Sequence, residues 1–252
     1  MKGSERQEQI LAAMQGSGSI AVNDLIEMLP ASPATVRRDI TALAEAGRVR
    51  KDRGRIFLES GPRAPAFNQR DGMYDAEKKR IGQAAAALVR DGDTIIIDAG
   101  TTTQALAANL RDHKRLSVIT NSIPVASIFD GTAVNVFLCG GMLEDMSLVD
   151  DDAVRFIAAH QVDKAFVGAS GVRSQGLTTT SLFQSAVKRQ MIRSAQQSYA
   201  LLDQSKFHAT GVNLFAGFQD LAGIITSKPL TDLELRARLE EAQVKVICTD
   251  RE

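Results

Sequence analysis

The first sixty residues carry apolar side chains at helical spacing, in groups that are separated by residues favouring turns. This pattern predicts a first helix, with Ile10 and Met14 on one face, that ends at the Gly and Ser residues of 16–19. It predicts a second short helix over about 22–29. The chain therefore begins with short helices joined by tight turns.

A third helix is predicted to start at Ser32 and to run to about residue 46. The Ser32 hydroxyl suits an N-cap, and Pro33 suits the first helical position, where its missing N–H costs nothing. Three apolar residues spaced four and three apart mark the buried face: Val36, Ile40 and Leu43. Gly47 then ends the helix as a C′ glycine.

A two-stranded wing is predicted after this helix. Val49 precedes an Asp-Arg-Gly turn at 52–54, and Ile56 and Leu58 follow it. Three short helices with a tight break before the third, followed by such a wing, predict a winged helix-turn-helix domain over residues 1–58.

The outward face of the third helix and the wing carry the candidate DNA contacts. Small, hydroxyl and guanidinium groups on the helix suit a major groove, and the basic residues beyond it suit a phosphate backbone. These contacts are Ser32, Ala34, Thr35, Arg37, Arg38, Thr41, Arg50, Lys51, Arg53 and Arg55. A basic helix face is also compatible with a merely solvated surface or with a protein-docking module.

The pattern changes after residue 58. Residues 59–74 are rich in Gly, Pro and polar residues and predict a linker, with Phe67 and Arg70 as candidate anchors on the domain that follows. Over 75–252, helices alternate with aliphatic runs, which predict strands at 94–98, 116–120, 133–140, 164–169, 199–203, 222–227 and 244–249. Such runs predict a mostly parallel sheet covered on both faces, and therefore an α/β fold.

Polar residues cluster where these strands end, which is where parallel sheets bind ligands. Glycines that allow close approach, hydroxyls at a helix N-terminus and two lysines as countercharge suit an anion, and phosphate in particular. The candidate ligand residues are Lys78, Asp98, Gly100, Thr101, Thr102, Thr103, Asn121, Ser122, Gly140, Gly141, Ser170 and Lys188.

The amino-acid composition and the absence of some sequence motifs exclude several classes of function. The 252 residues carry equal numbers of basic and acidic side chains, so contact with nucleic acid has to come from a local basic patch. No membrane span, dinucleotide fingerprint or phosphate-binding lysine loop occurs in the sequence, and we expect a cytoplasmic protein without cofactor or metal. The two cysteines, Cys139 and Cys248, predict buried thiols rather than a disulfide.

The run SPATVRRDITALAEAGRVRKD, from residue 32, resembles the winged helix of the DeoR family of bacterial transcriptional repressors. The later runs DGDTIIIDAGTTT, VITNS, FLCGG, DKAFVGASGV, KRQMI and LLDQSKF resemble its C-terminal sensor domain, in the same order. The family resemblance implies a sensor fold similar to ribose-5-phosphate isomerase, a phosphorylated sugar as effector and a homo-oligomer, dimer or tetramer, on double-stranded operator DNA.

The sequence departs from the family pattern in three places. KDRGRIFLE replaces the usual wing sequence, Asp150 stands where a Gly is usual, and Gln184 stands where an acidic residue is usual. Because the sensor fold resembles an isomerase, a sugar-phosphate isomerase-like enzyme is the rival interpretation. The strand end GASG offers no carboxylate base, which favours a sensor. Repression is expected, with activation as the open alternative.

Overall fold

The computed structural model describes residues 3–13, 19–45, 49–52, 54–58, 67–70, 72–209 and 211–250. The chain divides into two compact units, residues 1–64 and residues 65–252. The boundaries predicted for the domains and for the linker at 59–74 stay a prediction.

The N-terminal unit contains three helices and three short strands. They are α1 (Gly3–Ala13), β1 (Ser19–Ala21), α2 (Val22–Met28), α3 (Pro33–Glu45), β2 (Val49–Asp52) and β3 (Arg55–Leu58). The strands form an antiparallel sheet in the order β1-β3-β2. The wing therefore has a third strand that the sequence pattern did not predict, because β1 has three residues and its pairing of Ile20 with Ile56 is long-range.

The core of this unit matches the predicted helix faces. Among the described residues, its buried hydrophobic side chains are Ile10, Leu25, Leu29, Val36, Ile40, Leu43, Val49 and Ile56. They come from all three helices and from the wing, so the wing packs into the same core as α3. Met14, predicted on the apolar face of the first helix, and Gly47, predicted to end the third, lie outside the described residues.

The C-terminal unit is larger. Its helices are α4 (Phe67–Arg70), α5 (Asp75–Ala86), α6 (Thr101–Ala108), α7 (Ile123–Ile128), α8 (Asp151–Ala158), α9 (Leu182–Arg193) and α10 (Leu233–Glu241). Its strands are β4 (Thr94–Ile97), β5 (Ser117–Thr120), β6 (Asn135–Leu138), β7 (Met142–Glu144), β8 (Ser147–Val149), β9 (Val162–Val167), β10 (Gly171–Arg173), β11 (Gly176–Thr179), β12 (Ala195–Leu202), β13 (Asn213–Ala216), β14 (Gly223–Thr226) and β15 (Lys245–Cys248). Short 3₁₀ helices span Gln204–His208 and Phe218–Asp220.

Seven of these strands form one parallel sheet in the order β15-β14-β12-β9-β4-β5-β6. Each of them overlaps one of the seven aliphatic runs that predicted a strand, although β9 begins two residues and β12 four residues before its predicted run. Successive side chains of a strand face opposite sides of the sheet, and here both sides are buried. Ile96 belongs to one hydrophobic cluster, whereas Ile95 and Ile97 belong to the other. The predicted α/β class and the winged helix-turn-helix unit are confirmed.

Five further strands lie outside this sheet, and the sequence pattern did not predict them. Strands β10, β11 and β13 form an antiparallel sheet, and β7 pairs with β8 as a hairpin. Within the part of the chain that the structure describes, we find no helix of the length and apolarity that a membrane crossing requires.

Candidate functional site

Helix α3 begins with the cap that the sequence predicts. The Thr35 N–H donates to Ser32 Oγ at 3.3 Å, and the two hydroxyl oxygens lie 2.8 Å apart. These contacts satisfy one of the N–H groups that a helix start leaves unpaired. The first turn of α3 is thus fixed at the end that carries the candidate base contacts.

The predicted DNA-contact residues of α3 lie on its outer side. Arg37, Arg38 and Thr41 are exposed, as are Ser32 and Ala34, whereas Thr35 is half-buried. The wing joins this surface, because the exposed Lys51 donates from Nζ to Thr41 Oγ1 at 2.6 Å. Arg53 and the side chains of Arg50 and Arg55 lie outside the described part of the structure.

A cleft lies at the carboxyl ends of β4, β9 and β12, three neighbouring strands of the parallel sheet. Residues 99–103 follow β4, residues 168–170 follow β9, and Lys206 follows β12. Other residues lining it are Phe67, Arg70, Asp145, Gln184 and Lys188. Of the predicted ligand residues, the structure therefore brings Gly100, Thr101, Thr102, Thr103, Ser170 and Lys188 to one place.

The wall after β4 is the N-terminus of α6. The hydroxyl of Thr103 donates to the Gly100 carbonyl at 2.9 Å, which accepts the N–H of Gln104 at the same distance. The first N–H groups of a helix have no partner within it and favour an anion. Helix α5 packs closely against α6, since a Cβ on Gly82 would lie 2.5 Å from the Ala105 backbone.

Lys188 is a buried cation behind the cleft. Its Nζ forms an ion pair with Asp98 and also donates to the Gly168 carbonyl at 3.1 Å. The Gly168 N–H in turn donates to Asp98 Oδ2 at 2.9 Å. Asp98 and Lys188 thus hold the ends of β4 and β9 together, and Asp98 is 1% exposed.

Two further cations line the cleft, and neither was predicted as a ligand residue. They are Arg70, predicted only as an anchor, and Lys206, within the quoted run LLDQSKF. Burial lowers the pKa of Lys206, the Arg70 charge adds to this effect, and Asp203 opposes it. The position of Lys206 after a parallel strand was the available signal for its role.

Asp145 is an acidic residue that lines the cleft. It lies in the two-residue turn between β7 and β8, where Asp145 and Met146 have φ of 46° and 63°. Its carboxylate accepts the Phe67 N–H and an N–H of the Arg70 guanidinium, each at 2.7 Å. The loop that carries Asp145 offered no sequence signal for this contact.

Other predicted ligand residues serve the framework around the cleft. The Asn121 side-chain oxygen accepts the Ala99 N–H at 3.0 Å, and Ser122 caps α7. Lys78 donates from Nζ to the Arg70 carbonyl at 2.7 Å.

Gly140 and Gly141 lie away from the cleft lining and are exposed. Gly141 has φ of 125°, and a Cβ there would lie 2.3 Å from the Val149 carbonyl oxygen. Its conformation therefore serves the packing of the β7–β8 hairpin.

The first of the three consecutive aspartates has a structural role. Asp150 caps α8, accepting the Asp152 N–H at 2.8 Å, and also accepts the Met142 N–H at 2.9 Å. None of Asp150, Asp151 and Asp152 is among the residues that line the cleft. They therefore do not supply the carboxylate base that an isomerase requires there.

The prediction of two buried free thiols holds for Cys139 and only in part for Cys248. Cys139 is a buried free thiol, and Cys248 is a half-buried one. Among the described residues, no group of three His, Cys, Asp or Glu is placed to hold a metal ion.

Comparison with known proteins relates both units to one family. The model of the DeoR-like helix-turn-helix domain matches residues 6–60, and the model of the DeoR C terminal sensor domain matches residues 74–228. The HTH-type transcriptional repressor GlcR of Bacillus subtilis is 32% identical, over 90% of this chain and 90% of its own. The glycerol-3-phosphate regulon repressor of Escherichia coli is 28% identical, over 91% and 92%.

Among solved structures, ribose 5-phosphate isomerase A of Methanocaldococcus jannaschii matches 52% of this chain and 53% of its own, at 19% identity and a TM-score of 0.38. The two domain models match in the order of the sequence and together cover most of the chain. The chain therefore belongs to the DeoR family, and it is a transcriptional regulator rather than an enzyme.

Proposed function

We propose that this protein is a repressor that binds operator DNA through α3 and its wing, and that a phosphorylated sugar in the cleft releases it. It works in the cytoplasm as a homo-oligomer, because a symmetric operator needs two copies of the reading helix. The operon it controls is one for carbohydrate use. The observation that carries the ligand assignment is a helix N-terminus that faces the same cleft as Arg70 and Lys206.

The arrangement of α3 supports the DNA-binding half of the proposal. Its apolar face fills the core of the unit, which leaves Arg37 and Arg38 exposed on the opposite side. Guanidinium groups pair with guanine edges in a major groove, and a lysine such as Lys51 pairs with phosphate. The two kinds of contact have different experimental signatures.

Operator binding tests this half directly. Arg38→Ala is expected to weaken specific binding by about 1–3 kcal/mol, and Lys51→Ala to reduce the salt slope of binding by about one. Fluorescence anisotropy with the operator at several salt concentrations measures both effects. Arg236→Ala, which removes an exposed cation from the C-terminal unit, is the matched control. Wild-type affinity and salt slope in both test variants would contradict the proposed DNA surface.

The chemistry of the cleft supports the ligand half. Unpaired helix N–H groups and two cations suit the phosphate, and the hydroxyls of Thr101 and Thr102 suit the hydroxyls of a sugar. One relative, the glycerol-3-phosphate regulon repressor of Escherichia coli, also joins repression with a phosphorylated polyol in its name.

A thermal-shift screen of sugar phosphates tests the ligand half, because a ligand that binds only the folded state raises the melting temperature. The compound that raises it most is expected to release the operator from the wild type. It is expected to fail with Lys206→Met, whereas Lys245→Met, which changes an exposed lysine outside the cleft, is the control. Release that persists in Lys206→Met at an unchanged ligand concentration would contradict the site.

The direction of regulation is tested in cells. Deletion of the gene is expected to raise transcription of the controlled operon, and the sugar is expected to raise it in the wild type only. A fall in transcription after deletion would identify an activator. Consumption of the sugar phosphate by purified protein would favour the isomerase-like alternative.

A further inference from the structure

Asp145 bridges two parts of the C-terminal unit that lie far apart in sequence. Its Oδ1 accepts the Phe67 N–H and its Oδ2 accepts the Arg70 guanidinium, each at 2.7 Å. Phe67, Arg70 and Asp145 all line the cleft. A negative charge built into the protein thus pairs with one of the cations that face the ligand.

The Arg70 guanidinium keeps donors for a second anion. Arginine has five N–H donors, and within the described part of the chain Arg70 Nε is buried without a hydrogen-bond partner. Lys206 lines the same cleft and is near enough for the Arg70 charge to disfavour its protonation. An anion beside these two cations relieves their repulsion and supplies acceptors for the free donors.

Charge-assisted hydrogen bonds to Arg70 are therefore open to competition. A carboxylate carries one negative charge, whereas a phosphate monoester carries close to two at neutral pH and offers three acceptor oxygens. Two adjacent anions on one arginine repel each other, so the phosphate, which carries the larger charge, displaces the carboxylate from Arg70 even though the guanidinium has a free donor.

Resting on the proposed function, we propose that Asp145 is an internal competitor of the ligand phosphate for Arg70. Asp145 thereby sets the affinity of the cleft and its preference for dianionic phosphate over singly charged anions. Phosphate binding draws Arg70 from Asp145 Oδ2, and repulsion between the dianion and the carboxylate moves Asp145 Oδ1 away from the Phe67 N–H as well.

The contact between Asp145 and the Phe67 N–H lies close in sequence to the boundary between the two units. Helix α4 is the first described element after the boundary between the two units at residues 64 and 65. At its start, the Phe67 N–H donates to Asp145. At its end, the Arg70 carbonyl accepts a hydrogen bond from Lys78 Nζ at 2.7 Å. Loss of the Asp145 contact frees the end of α4 that is nearer in sequence to the DNA-binding unit, while Lys78 retains the other end.

Phosphate binding to the full-length protein tests the competition. Inorganic phosphate is titrated into wild type and Asp145→Asn, and binding is followed by thermal shift, with acetate as the singly charged probe. Removal of the competing carboxylate is expected to tighten phosphate binding about tenfold and acetate binding by more. Glu144→Gln removes a neighbouring charge that contacts Ser181 instead, and it is expected to bind phosphate as the wild type does.

Hydrogen exchange of the wild-type protein provides a second test that needs no variant. Phosphate is expected to speed hydrogen exchange of the Phe67 amide, because its acceptor moves away. The Lys78 amide of α5, which donates to the Tyr74 carbonyl, is the control and is expected to keep its exchange rate. This test holds even where Asp145→Asn fails to fold.

The outcomes separate the competition from the ligand site itself. Equal phosphate affinity in wild type and Asp145→Asn, or unchanged exchange at Phe67 in phosphate-bound wild type, would overturn the role of Asp145 and leave the site standing. Absence of phosphate binding in every variant would overturn both. A tenfold gain that appears equally in Glu144→Gln would assign the effect to net charge and overturn the competition.

Discussion

Arg6 of α1 donates from its Nε to Asp39 Oδ2 of α3 at 2.7 Å, and both side chains are largely withdrawn from solvent. This ion pair connects the first helix to the third. It gives Asp39, within the Arg-Arg-Asp motif, a structural role that is separate from DNA contact.

Asp39→Asn is expected to destabilise the N-terminal unit by about 1–3 kcal/mol, because it removes the charge-assisted hydrogen bonds that the buried Asp39 carboxylate accepts from Arg6. Both tyrosines, Tyr74 and Tyr199, lie in the C-terminal unit, and the chain has no tryptophan. The urea transition followed by circular dichroism should therefore move, while the transition followed by tyrosine fluorescence should not. Equal movement of both transitions would contradict a role confined to the first unit.

The Asp98–Lys188 pair leads to a prediction about stability in the other unit. Lys188→Met is expected to destabilise the fold by about 3–5 kcal/mol, because the buried Asp98 carboxylate loses its counter-ion. Asp98→Asn combined with Lys188→Met should recover most of this loss, as tyrosine fluorescence in urea would measure. A double variant less stable than Lys188→Met would contradict the compensation.

The lowered pKa of the Asp93 carboxyl group predicts that the stability of the fold depends on pH. Burial raises the pKa of its carboxyl group, but bonds from Lys164 and from the Arg90 N–H, with their charges, outweigh burial, so the pKa is lowered from 3.8. A lowered folded-state pKa stabilises the fold above the unfolded pKa, and this stabilisation is lost as pH falls through the folded value. Asp93→Asn should therefore narrow the fall in melting temperature between about pH 6 and about pH 3. An unchanged fall would contradict this contribution.

The two cysteines should differ in reactivity. Burial raises the pKa of the Cys139 thiol to about 11, whereas Cys248 is half-buried. Since the thiolate is the reactive form, a disulfide reagent at neutral pH should modify Cys248 first and Cys139 only on unfolding. Cys248→Ser should abolish the fast reaction. A fast phase that survives in this variant would show that Cys139 is accessible.

The sequence predicted the parallel sheet because buried strands are written as continuous aliphatic runs, such as the isoleucines before Asp98. The antiparallel strands were missed because each has only three or four residues, so their pairing depends on tertiary contacts. Strand β11 illustrates this, since a Cβ on Gly176 would lie 2.0 Å from the Ala216 carbonyl oxygen of its neighbour β13.

The cleft was predictable only in part, for a related reason. Gly100 and the three threonines after it follow a strand and were found by position, whereas Asp145 reaches Arg70 across 75 residues of sequence. Contacts of this kind leave no local pattern, because neither partner is placed by periodicity. Lys188 was found as a cation, but its pairing with Asp98 was not.

The separation of roles along α3 has a consequence for how such regulators diversify. Val36, Asp39 and Ile40 hold the helix in its unit, while positions 34, 37 and 38 project from it. Exposed helix positions accept most side chains at little cost in stability. New operator preferences are therefore accessible by single substitutions that leave the scaffold intact, and gene duplication supplies the copies in which they accumulate.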